Sequence, residues 1–245
     1  MNLLGLGVVV FTGMLLFVLA LPKVRRTPKL RVIPALTRLY RAVGLSVEDG
    51  TRLLLSLGSG HLITKDGAPA LAGFALLRQL TTRTSLSDQP PVAVAGDAAL
   101  AILAQDTMEA GYRTAGAAEF YQPTTGRLTG LTPDSSIAGT IPIVRDENVS
   151  AAVLMGHFGV EAALLADAAE RGNTLVVGSS DDLPAQAALY ASASDVLIGE
   201  ELFAAGAYLE GSPARVASLT VQDILRWLII MVLLAGAGLK LLGLI

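Results

Sequence analysis

The chain has only two histidines, His61 and His157, and each follows a glycine that closes a short apolar run. Histidine changes charge near neutral pH and is a common metal ligand in its neutral form. Asp97 and Glu200 also follow a glycine after an apolar run, so the four residues offer the parts for acid–base catalysis or for holding a divalent ion. No H-E-x-x-H or H-x-E spacing joins them, and the motifs give no metal site. The plainer role is structural: Asp97, Ser180 and Asp181 each stand where a side chain caps a helix start, and glutamates such as Glu200 and Glu201 suit a helix's first turn.

Two further turns suit a small anionic ligand. Gly58-Ser59-Gly60 and Gly178-Ser179-Ser180 present free backbone amides, which makes Ser59, Gly60, Ser179 and Ser180 the candidate ligand-binding residues. The dinucleotide fingerprint is incomplete, because Ile63 stands where its third glycine belongs. Neither a P-loop nor a Gly-x-Ser-x-Gly nucleophile turn occurs. The chain lacks cysteine, which excludes disulfides, a thiolate nucleophile and sulfur-ligated metal centres. No cofactor is assigned.

These residues need elements to position them. Five apolar runs, Leu53 to Leu57, Val92 to Ala95, Val153 to Met155, Leu175 to Val177 and Val196 to Ile198, each lead through a glycine and polar residues into an alanine-rich helical segment. Strands alternating with helices of this length predict a parallel sheet covered on both faces, a Rossmann-like α/β domain over residues 45–222. Ligands of such sheets bind beyond the carboxyl ends of the strands, where all these turns would gather. Two helices read as amphipathic, with Leu100, Leu103 and Thr107 inward on one and Val160, Leu164, Leu165 and Ala168 inward on the other. Residues 116–150 break the rhythm. Glu119 to Gln122 reads as a short strand, and Ser136 to Val144 as a short helix or edge strand limited by Gly139 and Pro142.

At 245 residues, 52% hydrophobic and 16% charged, the composition is more apolar than a soluble domain's. Leu3 to Leu21 carries no charge and is long enough to cross a bilayer, and Trp227 to Ile245 is a second such run, with Lys240 placed to snorkel near its end. Residues 1–22 and 223–245 are therefore expected as membrane helices. Small residues from Ala235 to Gly238 would admit a close neighbour.

Seven basic residues, Lys23, Arg25, Arg26, Lys29, Arg31, Arg38 and Arg41, fall in one block without an acidic residue, while the rest of the chain holds 11 basic and 21 acidic. With Val32, Leu36, Leu39 and Val43 at helical spacing, residues 23–44 read as an amphipathic segment lying on an anionic lipid surface. Positive-inside placement then puts the domain in the cytoplasm and both termini outside. The acidic remainder argues against a nucleic-acid partner.

Glu200 to Leu209 has no polar face after its glutamates, so Phe203, Ala207 and Tyr208 are candidates for contact with a second copy of the chain. The run from Leu197 to Leu209, continuing into Ala217-Ser218-Leu219, Gln222-Asp223 and Leu225-Arg226-Trp227, resembles an uncharacterised family of bacterial membrane proteins, a domain of unknown function. Ala104-Gln105-Asp106-Thr107 is a second shared patch. The resemblance implies a bacterial inner-membrane setting and supplies no activity, cofactor or site residue. Without a specific catalytic constellation, an oligomeric scaffold or ligand-sensing module is expected. The competing classes are a membrane-bound enzyme acting on a small anionic molecule at the strand-end rim, and a subunit of a multimeric channel or transporter.

Overall fold

A computed structural model describes residues 3–20, 31–210 and 213–241. The chain divides into two units, Met1–Arg31 with Glu210–Ile245, and Val32–Leu209. In the first, helix α1 (Leu3–Ala20) lies along the last helix, α9 (Pro213–Leu241). Among the described residues only Ala217–Leu241 forms a helix long and apolar enough to cross a membrane. The final helix also begins ten residues before the expected boundary at 223, passing through Gln222 and Asp223 without a break.

The second unit runs α2 (Pro34–Glu48), β1 (Arg52–Gly58), α3 (Ala68–Thr84), β2 (Val92–Ala95), α4 (Ala98–Thr114), β3 (Gly126–Leu128), α5 (Pro133–Asp146), β4 (Val149–His157), α6 (Ala162–Arg171), β5 (Leu175–Ser179), α7 (Leu183–Ser192), β6 (Asp195–Val196) and α8 (Glu201–Glu210). The six strands are all parallel in the order β3-β2-β1-β4-β5-β6. The chain thus winds outward from β1 to β3, crosses back, and winds outward again from β4. That reversal makes β1 and β4 neighbours at a topological switch point.

Alternation along the strands sorts the core. Leu53, Leu55 and Leu57 of β1 and Ala151, Val153 and Met155 of β4 pack with α2, α3, α4 and α8, while Leu54, Leu154, Val92 and Val94 pack with α5, α6 and α7. Both faces are covered, which is why the strands read as continuous apolar runs.

The structure changes several sequence expectations. The apolar face of α2, with Leu36, Leu39 and Val43, is buried in the domain core and so is not presented to lipid; the domain begins at Val32 instead of 45 and ends at Leu209 instead of 222. Arg38 on that helix pairs with the buried Asp195 of β6, Arg41 is exposed, and Lys23, Arg25, Arg26 and Lys29 lie outside the described residues. Glu119 to Gln122 is no strand: a 3-10 turn covers Ala118–Phe120, and the missing edge strand is β3. Ser136 to Val144 falls within the helix α5, which contains Pro142; the carbonyl this proline leaves without an amide partner is that of Ala138, an exposed residue. In α6 the inward face is Ala162, Leu165, Ala166, Ala168 and Ala169, so Leu165 and Ala168 point inward as expected while Val160 and Leu164 are exposed.

Candidate switch-point site

Beyond the carboxyl ends of β1, β2, β4 and β5, two histidines each meet a carboxylate. His61 Nδ1 lies 2.9 Å from Asp97 Oδ2, and His157 Nδ1 lies 2.7 Å from Asp181 Oδ1. Four turns converge to make these pairs, each turn following a different strand. The pairs flank the switch point, because β1 leads to His61 and β4 ends in His157.

Backbone contacts lock the two strand ends together. Ser59 N donates to His157 O at 3.0 Å, and Gly96 N donates to Gly58 O at 2.8 Å. Gly58 holds φ +75°, and a Cβ there would stand 2.2 Å from the His157 carbonyl oxygen. A Cβ on Gly60 would stand 2.2 Å from Asp66 O and 2.8 Å from His157 Cβ, so the glycine turn presses the Asp66 segment against β4. The role of the incomplete fingerprint's glycines is therefore close backbone approach.

Asp97 has two tasks. Its Oδ1 accepts the Leu100 amide at 3.1 Å, capping α4, while Oδ2 orients His61. The His61 hydrogen bond holds the Asp97 carboxyl below the usual carboxylate range; burial opposes this, and the Leu100 and Ala99 amides add to it. A depressed carboxylate contributes stability above its unfolded pKa, near 3.8, that is lost as pH falls through the lower folded value. Asp97→Ala is expected to cost about 1 kcal/mol at neutral pH, chiefly from the cap. Asp97→Asn keeps the cap and loses only the charge on His61, so thermal melts should place it between wild type and alanine. The wild-type margin over asparagine should shrink as pH falls below the ordinary carboxylate range and through the lower folded value.

The cap of α7 is Asp182, whose carboxylate accepts the Ala185 amide at 3.2 Å. That frees Asp181 for His157, where the sequence alone offered Asp181 as a cap. Ser179 and Ser180 are buried and engaged: Ser179 Oγ donates to Leu197 O, and Ser180 Oγ donates to Phe158 O while accepting from the Phe158 and Asp182 amides. They brace the rim, leaving Ser59 and Gly60 of the ligand candidates beside the histidine pairs. Glu200 starts α8 after the edge strand β6, two strands and about 10 Å across the sheet from β4. Asp66 joins His157: one ligand atom from each of Asp66, His157 and Asp181 lies within 4.8 Å of the others. Nothing in its spacing singled Asp66 out, since it sits in a 3-10 turn (Lys65–Gly67) with no motif around it.

Of the proposed oligomer contacts, Phe203 is 47% exposed and Tyr208 packs partly against the domain's own core; the side chain of Ala207 lies outside the described residues.

A doubly wound parallel sheet with a polar rim at its switch point defines a Rossmann-like α/β domain. The chain belongs to the family described as Domain of unknown function (DUF6754), which matches residues 2–245. No curated protein and no solved structure matches it.

Proposed function

We propose that this chain is a membrane-tethered sensing module whose Rossmann-like domain binds a small anionic molecule at the switch-point rim. The observation that carries the reading is the convergence of the pairs His61–Asp97 and His157–Asp181 on either side of the β1–β4 junction. Oriented imidazoles recognise a ligand by hydrogen bonds of fixed direction, and Ser59 stands half-buried beside them at the rim.

The tether is α9 with α1. Trp227, Ile229, Met231, Val232, Leu233 and Leu234 are exposed along one helix, as are Val9, Val10, Met14 and Phe17 along the other, an apolar surface that lipid would cover. The basic block from Lys23 to Arg41 supports an orientation with the domain in the cytoplasm and both termini outside, the bacterial inner membrane being what the family resemblance implies, and Arg41 is available to anionic lipid. Self-association through Phe203 belongs to the same proposal.

The ligand reading is tested by thermal melts of the full chain in mild detergent against inorganic phosphate, nucleoside diphosphates and small dicarboxylates. A ligand at 100 times its Kd contributes about 2.7 kcal/mol, so a true ligand should raise Tm by roughly 5 to 10 °C in wild type and much less in His157→Ala. A panel that shifts neither, or both equally, counts against it. Membrane-bound catalysis at the rim is the second reading. It is favoured by the carboxylate behind each imidazole, the arrangement that orients a general base, and consumption of the stabilising compound would establish it.

A further inference from the structure

The rim sets a charge problem for an anionic ligand. Asp66, Asp97 and Asp181 place three carboxylates where that ligand would bind, and only Asp97 spends its charge on both a helix cap and a histidine. Carboxylates a few ångströms from a bound anion repel it strongly in a partly buried crevice. A divalent cation removes the conflict.

We infer that Asp66, His157 and Asp181 form a site for a divalent first-row transition ion, Mn2+ or Zn2+, whose open coordination positions take the anionic ligand; this rests on the ligand-binding reading above. One ligand atom from each residue already lies within 4.8 Å of the others. Metal–ligand bonds of about 2.1 Å place neighbouring ligand atoms roughly 3 Å apart, so closure needs a shift of under about 2 Å, within the swing of one carboxylate rotamer. Asp181 is exposed and can make that swing. His157 Nδ1 and Asp181 Oδ1, at 2.7 Å, are already spaced as adjacent ligands.

The remaining member is held in place. Asp66 stands in a 3-10 turn that closes on Gly60 and His157, and Thr64 Oγ1 donates a long hydrogen bond of 3.4 Å to Asp66 Oδ2. The three donors come from three separate turns, after β1, at the end of β4 and after β5, so they meet only in the folded domain. One imidazole with two carboxylates suits Mn2+ or Zn2+. Mg2+ prefers an all-oxygen shell with several waters, and three protein donors leave positions for water or an anion. His61 stays outside the set, because its partner Asp97 is tied to the cap of α4 and, among the described residues, no third donor gathers with the pair.

The test uses the full chain in detergent, stripped by chelator and titrated with Mn2+ by electron paramagnetic resonance and with Zn2+ by calorimetry. Imidazole nitrogen NMR gives the residue-level readout, since the chain has two histidines. One ion should bind per chain, the His157 resonances should shift, and those of His61 should move little. Asp66→Asn and His157→Ala should each weaken binding about 100-fold or more, while His61→Ala stays within about threefold. Asp66→Asn is isosteric, and its melting curve should match wild type, which separates loss of a ligand from loss of fold. No saturable binding up to about 1 mM ion, unchanged binding in Asp66→Asn, or Mg2+ binding as tightly as Mn2+ would overturn the inference. If the ion fails to bind while a small anion is still retained, the metal site falls and the ligand reading stands. An ion that binds as expected with no anion taken up leaves the cation site and removes the ligand reading.

Discussion

Gly58→Ala is expected to destabilise the domain by about 2 to 5 kcal/mol, the sum of a left-handed backbone position given a side chain and an overpacked contact. Gly58 adopts φ +75°, and the new Cβ would stand 2.2 Å from the His157 carbonyl oxygen, a backbone atom of the neighbouring strand. Neither strain can be relieved by a rotamer change. The same carbonyl accepts the Ser59 amide, and Gly58 is in register with His157, so relief requires parting β1 from β4 at the switch point. Chemical denaturation should show the loss as a lower midpoint, and thermal melts as a fall of roughly 5 to 15 °C. Because His157 moves with that strand end, ligand and ion binding should fall with it. An alanine variant that melts with wild type would mean that the turn does not hold the two strands as described.

The second large effect concerns the tether. Full-length chain is expected to remain with membranes through an alkaline carbonate wash, whereas residues 32–209 alone should be recovered in the soluble fraction and melt cooperatively. Among the described residues, both hydrophobic clusters of the domain are built from residues between Ile33 and Ala205. The 25 residues of Ala217–Leu241 have a mean hydropathy of 2.0. Each Leu, Ile or Val near the centre of such a helix favours insertion by about 0.3 to 0.6 kcal/mol, and the sum over the span is large beside the cost of one snorkelling Lys240. Release of the full chain by carbonate, or aggregation of residues 32–209, would contradict this division.

The parallel sheet was legible because strands buried on both faces must be apolar throughout, and the four runs from Leu53 to Val177 have that character; the fifth run, Val196 to Ile198, marks only the two-residue edge strand β6, and Ile198 is exposed. β3 was missed for the opposite reason. Gly126-Arg127-Leu128 is a three-residue edge strand, paired on one side only and carrying no apolar pattern. β4 proved nine residues long because Val149, Ala151 and Ala152 pair with β1 at the sheet centre, the register skipping Ser150, and small residues there do not read as strand.

Helix faces misled where small residues go inward: α6 packs alanines against the sheet and turns Leu164 out, since alanine lets a helix approach a sheet closely. α4 does the same with Ala101 and Ala104. The basic amphipathic pattern of α2 was real, but periodicity reports that one face is covered and is silent about what covers it; here the sheet does.

At the site, the glycine-then-polar turns foretold the rim, because strand polarity alone sends them to one end. Which of them meet depends on strand order, which no local pattern encodes. Hence Asp181 and Asp66, which stand in turns after β5 and β1, come to His157 at the end of β4. The choice of Asp182 over Asp181 as helix cap turned on one residue of register and released the carboxylate that matters.

Native mass spectrometry of the full chain, extracted from its own membranes in mild detergent without chelator, tests the central claim most directly. The sensing account predicts that wild-type protein carries an added mass of a small anionic molecule together with its ion, and that His157→Ala carries neither while keeping its fold. Protein mass alone in wild type, or an added mass that persists in His157→Ala, would contradict it.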